Sequence, residues 1–150
     1  MGIAIATSND VETDALIDAI NGGGDAIFRN SLGSGAVTAE GTPSMRVYVA
    51  TMRGFIGHGR FKMATATYTA SVVAPTGGVA GDLRRIDLVQ YTLGTGVNIV
   101  TGVEGAVPAV PATSASSIAL AHLYLRNGMA HIDDTDDTTN GYIVDAREFR

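Results

Sequence analysis

The sequence predicts a mainly β chain: a single antiparallel β-sandwich or partly closed barrel, preceded by a short N-terminal α-helix. Two observations carry this prediction. From about Gly35 onward, short runs of β-branched and aromatic residues alternate with polar ones, and glycine-containing turn signals separate them. Only one stretch, near the N-terminus, places its apolar residues at helical spacing. About seven strands of this length suit a sandwich or barrel.

The helix falls in SNDVETDALIDAINGGGD, where Val11, Ala15, Leu16, Ala19 and Ile20 form one stripe. Asn9 followed by Glu12 resembles a capping box, the early acidic residues suit the positive end of the helix dipole, and Gly22 to Gly24 supply a stop. So short a helix is marginal alone. Its stripe, with Val11, Leu16 and Ile20 as contact residues, is therefore expected to pack on the domain or on a neighbouring subunit. Residues 1–34 read as this helix plus a glycine-rich connector, an arm for attachment or oligomerisation, and residues 35–150 as the β domain.

The strands follow in order. AVTAE, MRVYVATM and GFIG form a first group, with Val47 and Val49 on one face and Arg46 and Tyr48 on the other. FKMATATYTASVV reads as one longer alternating strand. IDLVQYT and VNIVTG form a hairpin around a turn at Gly94 to Gly96. SSIALAHLYLR alternates with Ile118, Leu120 and His122 on one face and Ala119, Ala121, Leu123 and Leu125 on the other; GYIVDAREF gives a last extended piece.

Between the last two strong strands lies GAVPAVPAT. Pro108 and Pro111 lack an amide hydrogen and disfavour helix at Val107 and Val110, so the run is extended yet unable to sit inside a sheet. It is a connector. Being apolar, it is expected to lie along a groove of its own domain or against a partner subunit, with a free linker as the alternative, which makes Val107, Pro108, Val110 and Pro111 candidate interface residues.

Composition narrows the function classes. The chain of 150 residues has no Cys, which excludes disulfides, thiolate metal sites and sulfur redox chemistry. Ten Lys plus Arg against fifteen Asp plus Glu make it acidic and argue against nucleic acid as a partner. No apolar run approaches membrane-spanning or signal-peptide length, and Ala6 stands where a myristoylation signal wants Ser or Thr, so a soluble, unprocessed chain without membrane insertion is expected.

Candidate chemical sites are few. Asp133, Asp134, Asp136 and Asp137 in HIDDTDDTTNGY are the donor type that holds Ca²⁺. On the calcium-loop template Asp136, Thr138, Asn140 and Gly141 take early positions, but Arg147 stands where the closing Glu belongs. A solvated turn is the expectation. His58, His122 and His131 have no zinc-helix spacing, LGSGAV lacks the nucleophile-elbow pattern, and NGGGD follows a helix where a phosphate loop would precede one. Asp87, beside Arg84 and Arg85 in an apolar strand, reads as a buried carboxylate whose salt bridge fixes strand register. No cofactor and no catalytic set is expected.

The order of elements after Arg84 resembles a module of tailed-phage fibre, baseplate and related virion proteins. The matching residues are Arg85, Ile86, Asp87, Leu88 and Val89, then Thr101 and Gly102, then Pro108 and Pro111. Ile118, Leu120 and Ala121 follow, and Ile132, Asp133, Asp145 and Arg147 close the pattern. The resemblance implies a non-enzymatic virion structural protein, assembled in the host cytoplasm. By analogy with such proteins it would be a homotrimer in contact with other virion proteins, with a host surface receptor as a further possible partner. Capsid decoration or a head fibre is the alternative within that class. A lectin-like carbohydrate-binding module is a second alternative, for which no Trp, five Tyr and four Phe give little stacking surface.

Overall fold

The computed structural model describes residues 25–28, 33–57 and 59–149. Among these the chain is mainly β, with no helix, and its three sheets are not closed. The expected helix over Val11 to Ile20 lies outside the described residues.

Within the stretch read as a connector, β1 (Ala26–Ile27) pairs antiparallel with β4 (Met52–Ile56), which pairs in turn with β5 (Gly59–Met63). A second sheet runs β2 (Val37–Ala39), β3 (Val47–Val49), β6 (Thr67–Tyr68). The third holds five strands in the order β10 (Ile132–Asp133), β11 (Gly141–Asp145), β9 (Ser117–Arg126), β7 (Leu83–Thr92), β8 (Gly96–Val100).

The run FKMATATYT is not one strand but two, and the reason is its partner. Strands β3 and β4 are interrupted at Ala50 and Thr51, while β5 and β6 are interrupted at Ala64 to Ala66. Two residues therefore face three, which bends the whole hairpin so that its tip joins one sheet and its base another. Antiparallel pairing also has one exception: β10 and β11 run parallel, Ile132 opposite Gly141 and Asp133 opposite Tyr142. The acidic loop between them carries the chain back to the same end, which suffices because only two residues pair.

A second departure from simple alternation lies in β9. Val89 faces Ala121 and Gln90 faces Ala119, so Leu120 is an extra, bulged residue. The bulge flips parity: Ile118 and Leu120 face the core before it, and Ala121, Leu123 and Leu125 after it. His122 is thereby turned away from the core face where strict alternation puts it with Leu120.

All three sheets contribute to one core, through Ile27 and Met52, Val47 and Val49, and Val89, Leu120 and Leu123. Phe61 of β5 stacks on Tyr91 of β7 with ring centroids 4.7 Å apart, joining the first sheet to the third. At Gly54 the packing admits no side chain, because a Cβ would run into the backbone carbonyl of Ala26. Gly54→Ala is expected to part β1 from β4 and cost about 1–3 kcal/mol, read by urea denaturation; an unchanged midpoint would show that β1 is not held this closely.

Candidate interaction surface

The most buried charges of the domain sit in β7. Asp87 is 1% exposed, and its Oδ1 accepts hydrogen bonds from Arg85 Nε at 2.8 Å and from the Gly102 amide at 2.9 Å. Its Oδ2 accepts from Arg85 Nη2 at 3.1 Å, and the same nitrogen donates to the Val73 carbonyl at 2.8 Å. Arg85 Nη1 also lies 3.5 Å from Glu104 Oε1. One ion pair thus ties β7 to the segment before it and to the connector after β8; the salt bridge read from the sequence is there, but both its partners lie on β7, so what it ties is these segments rather than the strand register.

The connector forms no strand and bends at Ala106 and Val107. Its amides reach β7 at three points: Gly102 to Asp87, Gly105 to the Arg84 carbonyl at 2.9 Å, and Ser114 to Gln90 Oε1 at 3.0 Å. Gln90 in turn donates to Asn98 Oδ1 at 2.9 Å, Asn98 donates to Thr92 Oγ1 at 2.8 Å, and Thr92 shares a hydroxyl bond with Ser117 at 2.7 Å. A small polar network therefore anchors the end of the connector, and its buried groups find partners.

The connector's apolar side chains lie outside, so the domain's own surface does not cover them as one arm of the expectation had it. Val103 is 82% exposed, Val107 91% and Val110 44%, while Pro108 and Pro111 are half-buried. Of the candidate interface residues, Val107, Pro108, Val110 and Pro111 thus share one ridge. Val11, Leu16 and Ile20 lie outside the described residues.

The acidic loop disperses its carboxylates. Asp133 Oδ2 lies 3.1 Å from His131 Nε2, Asp134 Oδ1 accepts from the Ala39 amide at 2.6 Å, and Asp136 takes a two-pronged contact from Arg126 Nη2 at 2.9 Å. Asp137 accepts from the amides of Asn140 and Thr139 at 2.6 and 2.8 Å and from Asn140 Nδ2 at 2.8 Å. Those donors hold its carboxyl down at about 2. Each carboxylate faces a different partner, and among the described residues no group of three or more His, Cys, Asp or Glu is placed to hold a metal.

Over the face of β7 and β8 lie two grooves. One, of about 410 Å³, lies between residues 70–73 and β8 and is floored by Arg85 and Asp87; the other, of about 480 Å³, lies between Lys62 to Thr67 and the start of β8. On the opposite face of the same sheet Tyr124 and Tyr142 stack at 4.9 Å with Arg126 over Tyr142, and burial holds His122 below the ordinary imidazole range.

Arg126 and Asn127 are the organising residues that sequence reading passes over. Arg126 joins the Gly81 carbonyl to Asp136, and Asn127 Nδ2 donates to the carbonyls of Thr76, Gly77 and Gly78. Nothing in their local pattern marks them, since their partners lie far along the chain. Gln90 and Asn98 did carry a signal, as polar residues in apolar strands at similar distance from one turn. Compared with known proteins, the chain matches no protein-family model, no curated protein and no solved structure.

Asp87→Ala leaves Arg85 buried beside an empty carboxylate site and is expected to destabilise by about 3–5 kcal/mol, whereas Asp87→Leu combined with Arg85→Met recovers much of that loss. Chemical denaturation of the two variants checks this; equal losses would mean that the pair does more than satisfy itself. For Asp137 the folded carboxyl lies below its unfolded value, so its support of the loop is complete above the ordinary carboxylate range and is lost as pH falls through about 2. Carboxyl NMR titration should place Asp137 near that value, and a midpoint in the ordinary range would mean that the loop is not closed by these contacts.

Proposed function

We propose that the chain is a non-enzymatic structural protein of a tailed-bacteriophage virion, associated with the tail fibre or baseplate. In this reading the β domain, to which β1 also belongs, is sandwich-like and associates with copies of itself and with other virion proteins. The observation that carries it is the connector: a proline-containing segment, hydrogen-bonded to β7 at both ends through Gly102, Gly105 and Ser114, that leaves Val103 and Val107 exposed between those ties. Apolar side chains backed by a fixed main chain are what a subunit contact needs, because little ordering entropy remains to be lost on binding. The order of elements from Arg85 to Arg147, similar to that of fibre and baseplate modules, supports the same reading.

Immunogold electron microscopy of phage particles from the source, with antibody against this chain, tests it. Label at the tail or its tip is the expected result, and label over the head would replace it with the capsid-decoration reading. Absence of label on particles from cells that express the chain well would overturn the virion assignment. Val107→Asp with Val110→Asp is expected to lower incorporation into particles while leaving stability within about 0.5 kcal/mol, as for exposed sites generally.

A further inference from the structure

We infer that β8 is a docking edge for a second copy of this chain, the two β8 strands pairing antiparallel about a twofold axis. The inference rests on the sheet edges alone and not on the virion reading.

Every strand in a sheet edge exposes unpaired backbone groups, and proteins protect such edges by shortness, charge or cover. Three sheets give six edges here, and five are protected. β1 has two residues, and Ile27 bonds to the Glu148 carbonyl; β5 carries Arg60 and Lys62. β6 and β10 have two residues each, and the end of β2 is capped by Asp134. β8 differs on every count. It has five residues, Gly-Val-Asn-Ile-Val, with no charge and no proline, and its register with β7 runs from Gly96 to Val100 without a bulge. Among the described residues no strand pairs with its outer side.

Charge selects the same edge for self-association. Among the described residues the densest acidic run, Asp133 to Asp137, repels its counterpart on a second copy unless the two are kept apart. The acidic loop follows β10, at the edge opposite β8 in the order β10-β11-β9-β7-β8. Joining two copies at β8 gives a sheet of ten strands with the acidic loops nine strand spacings apart, about 43 Å, far beyond the screening length of about 8 Å at physiological salt. Pairing at β10 would instead bring the loops together. Centred on Asn98, the pairing sets Val97 opposite Ile99, so the apolar core faces continue across the axis. An isologous contact of this kind closes as a dimer, in place of the threefold order that the fibre resemblance implies.

Sedimentation velocity of the full chain over a concentration series tests the proposal, beside Val97→Lys and Val107→Asp with Val110→Asp. Val97 borders both grooves, so a lysine there can reach solvent while placing a charge in the pairing strand. The expected result is a concentration-dependent dimer, lost in Val97→Lys with the far-UV spectrum unchanged and retained in the connector variant. A chain that stays monomeric at high concentration, a trimer, or a dimer lost only in the connector variant would overturn it. Should Val97→Lys fail to fold, amide exchange of the unaltered chain decides: protection of β8 amides that rises with concentration supports the pairing, and constant protection overturns it. A dimer without label on particles would leave this inference standing and remove the virion reading; label on particles from a monomeric chain would do the reverse.

Discussion

The ion pair of Arg85 and Asp87 is the constraint on which the rest of the domain depends. Two opposite charges taken out of water are tolerated only where geometry and further hydrogen bonds compensate them. Here the compensation comes from three directions: Val73 before β7, Gly102 after β8, and Glu104 in the connector. To satisfy one carboxylate and one guanidinium, the chain must bring β7, the segment leading into it and the start of the connector together. The connector then has little freedom as to where it runs, and the valines that it carries have little choice of direction. Asp87 is thus a folding constraint whose consequence is a surface.

Much of the β architecture was readable because it is local. The hairpin of β7 and β8 announces itself through alternation on both sides of a glycine turn, and Gly94 and Gly96 indeed adopt positive φ, of 80° and 91°. Asp87 was readable because a carboxylate between arginines in an apolar strand has few places to go. Of the features that escaped, two are irregularities of register. In IALAHLYL apolar residues occupy both parities, so a bulge at Leu120 and an unbroken strand buried on both sides look alike. Likewise the break in MATATYT depends on where β3 and β4 bend, which FKMATATYT itself cannot express.

The surface was less readable than the fold. Proline spacing identified the connector, but exposure of Val103 and Val107 follows from which backbone groups the β7 partners capture, and those partners are distant in sequence. The acidic run, whose donors suit a cation but whose spacing reads as a solvated turn, has its carboxylates divided among Ala39, Arg126, His131 and Asn140. Clustering in sequence and convergence in space are separate properties.

One tie has a consequence for how the domain comes into being. Ile27 of β1 bonds to Glu148 and bridges Phe149, so the outer side of the first strand is completed by a segment about 120 residues later. During synthesis the buried Ala26, Ile27 and Phe28 must wait for that segment to leave the ribosome before their sheet is closed. For that interval they are an exposed apolar stretch whose pairing and cover are incomplete.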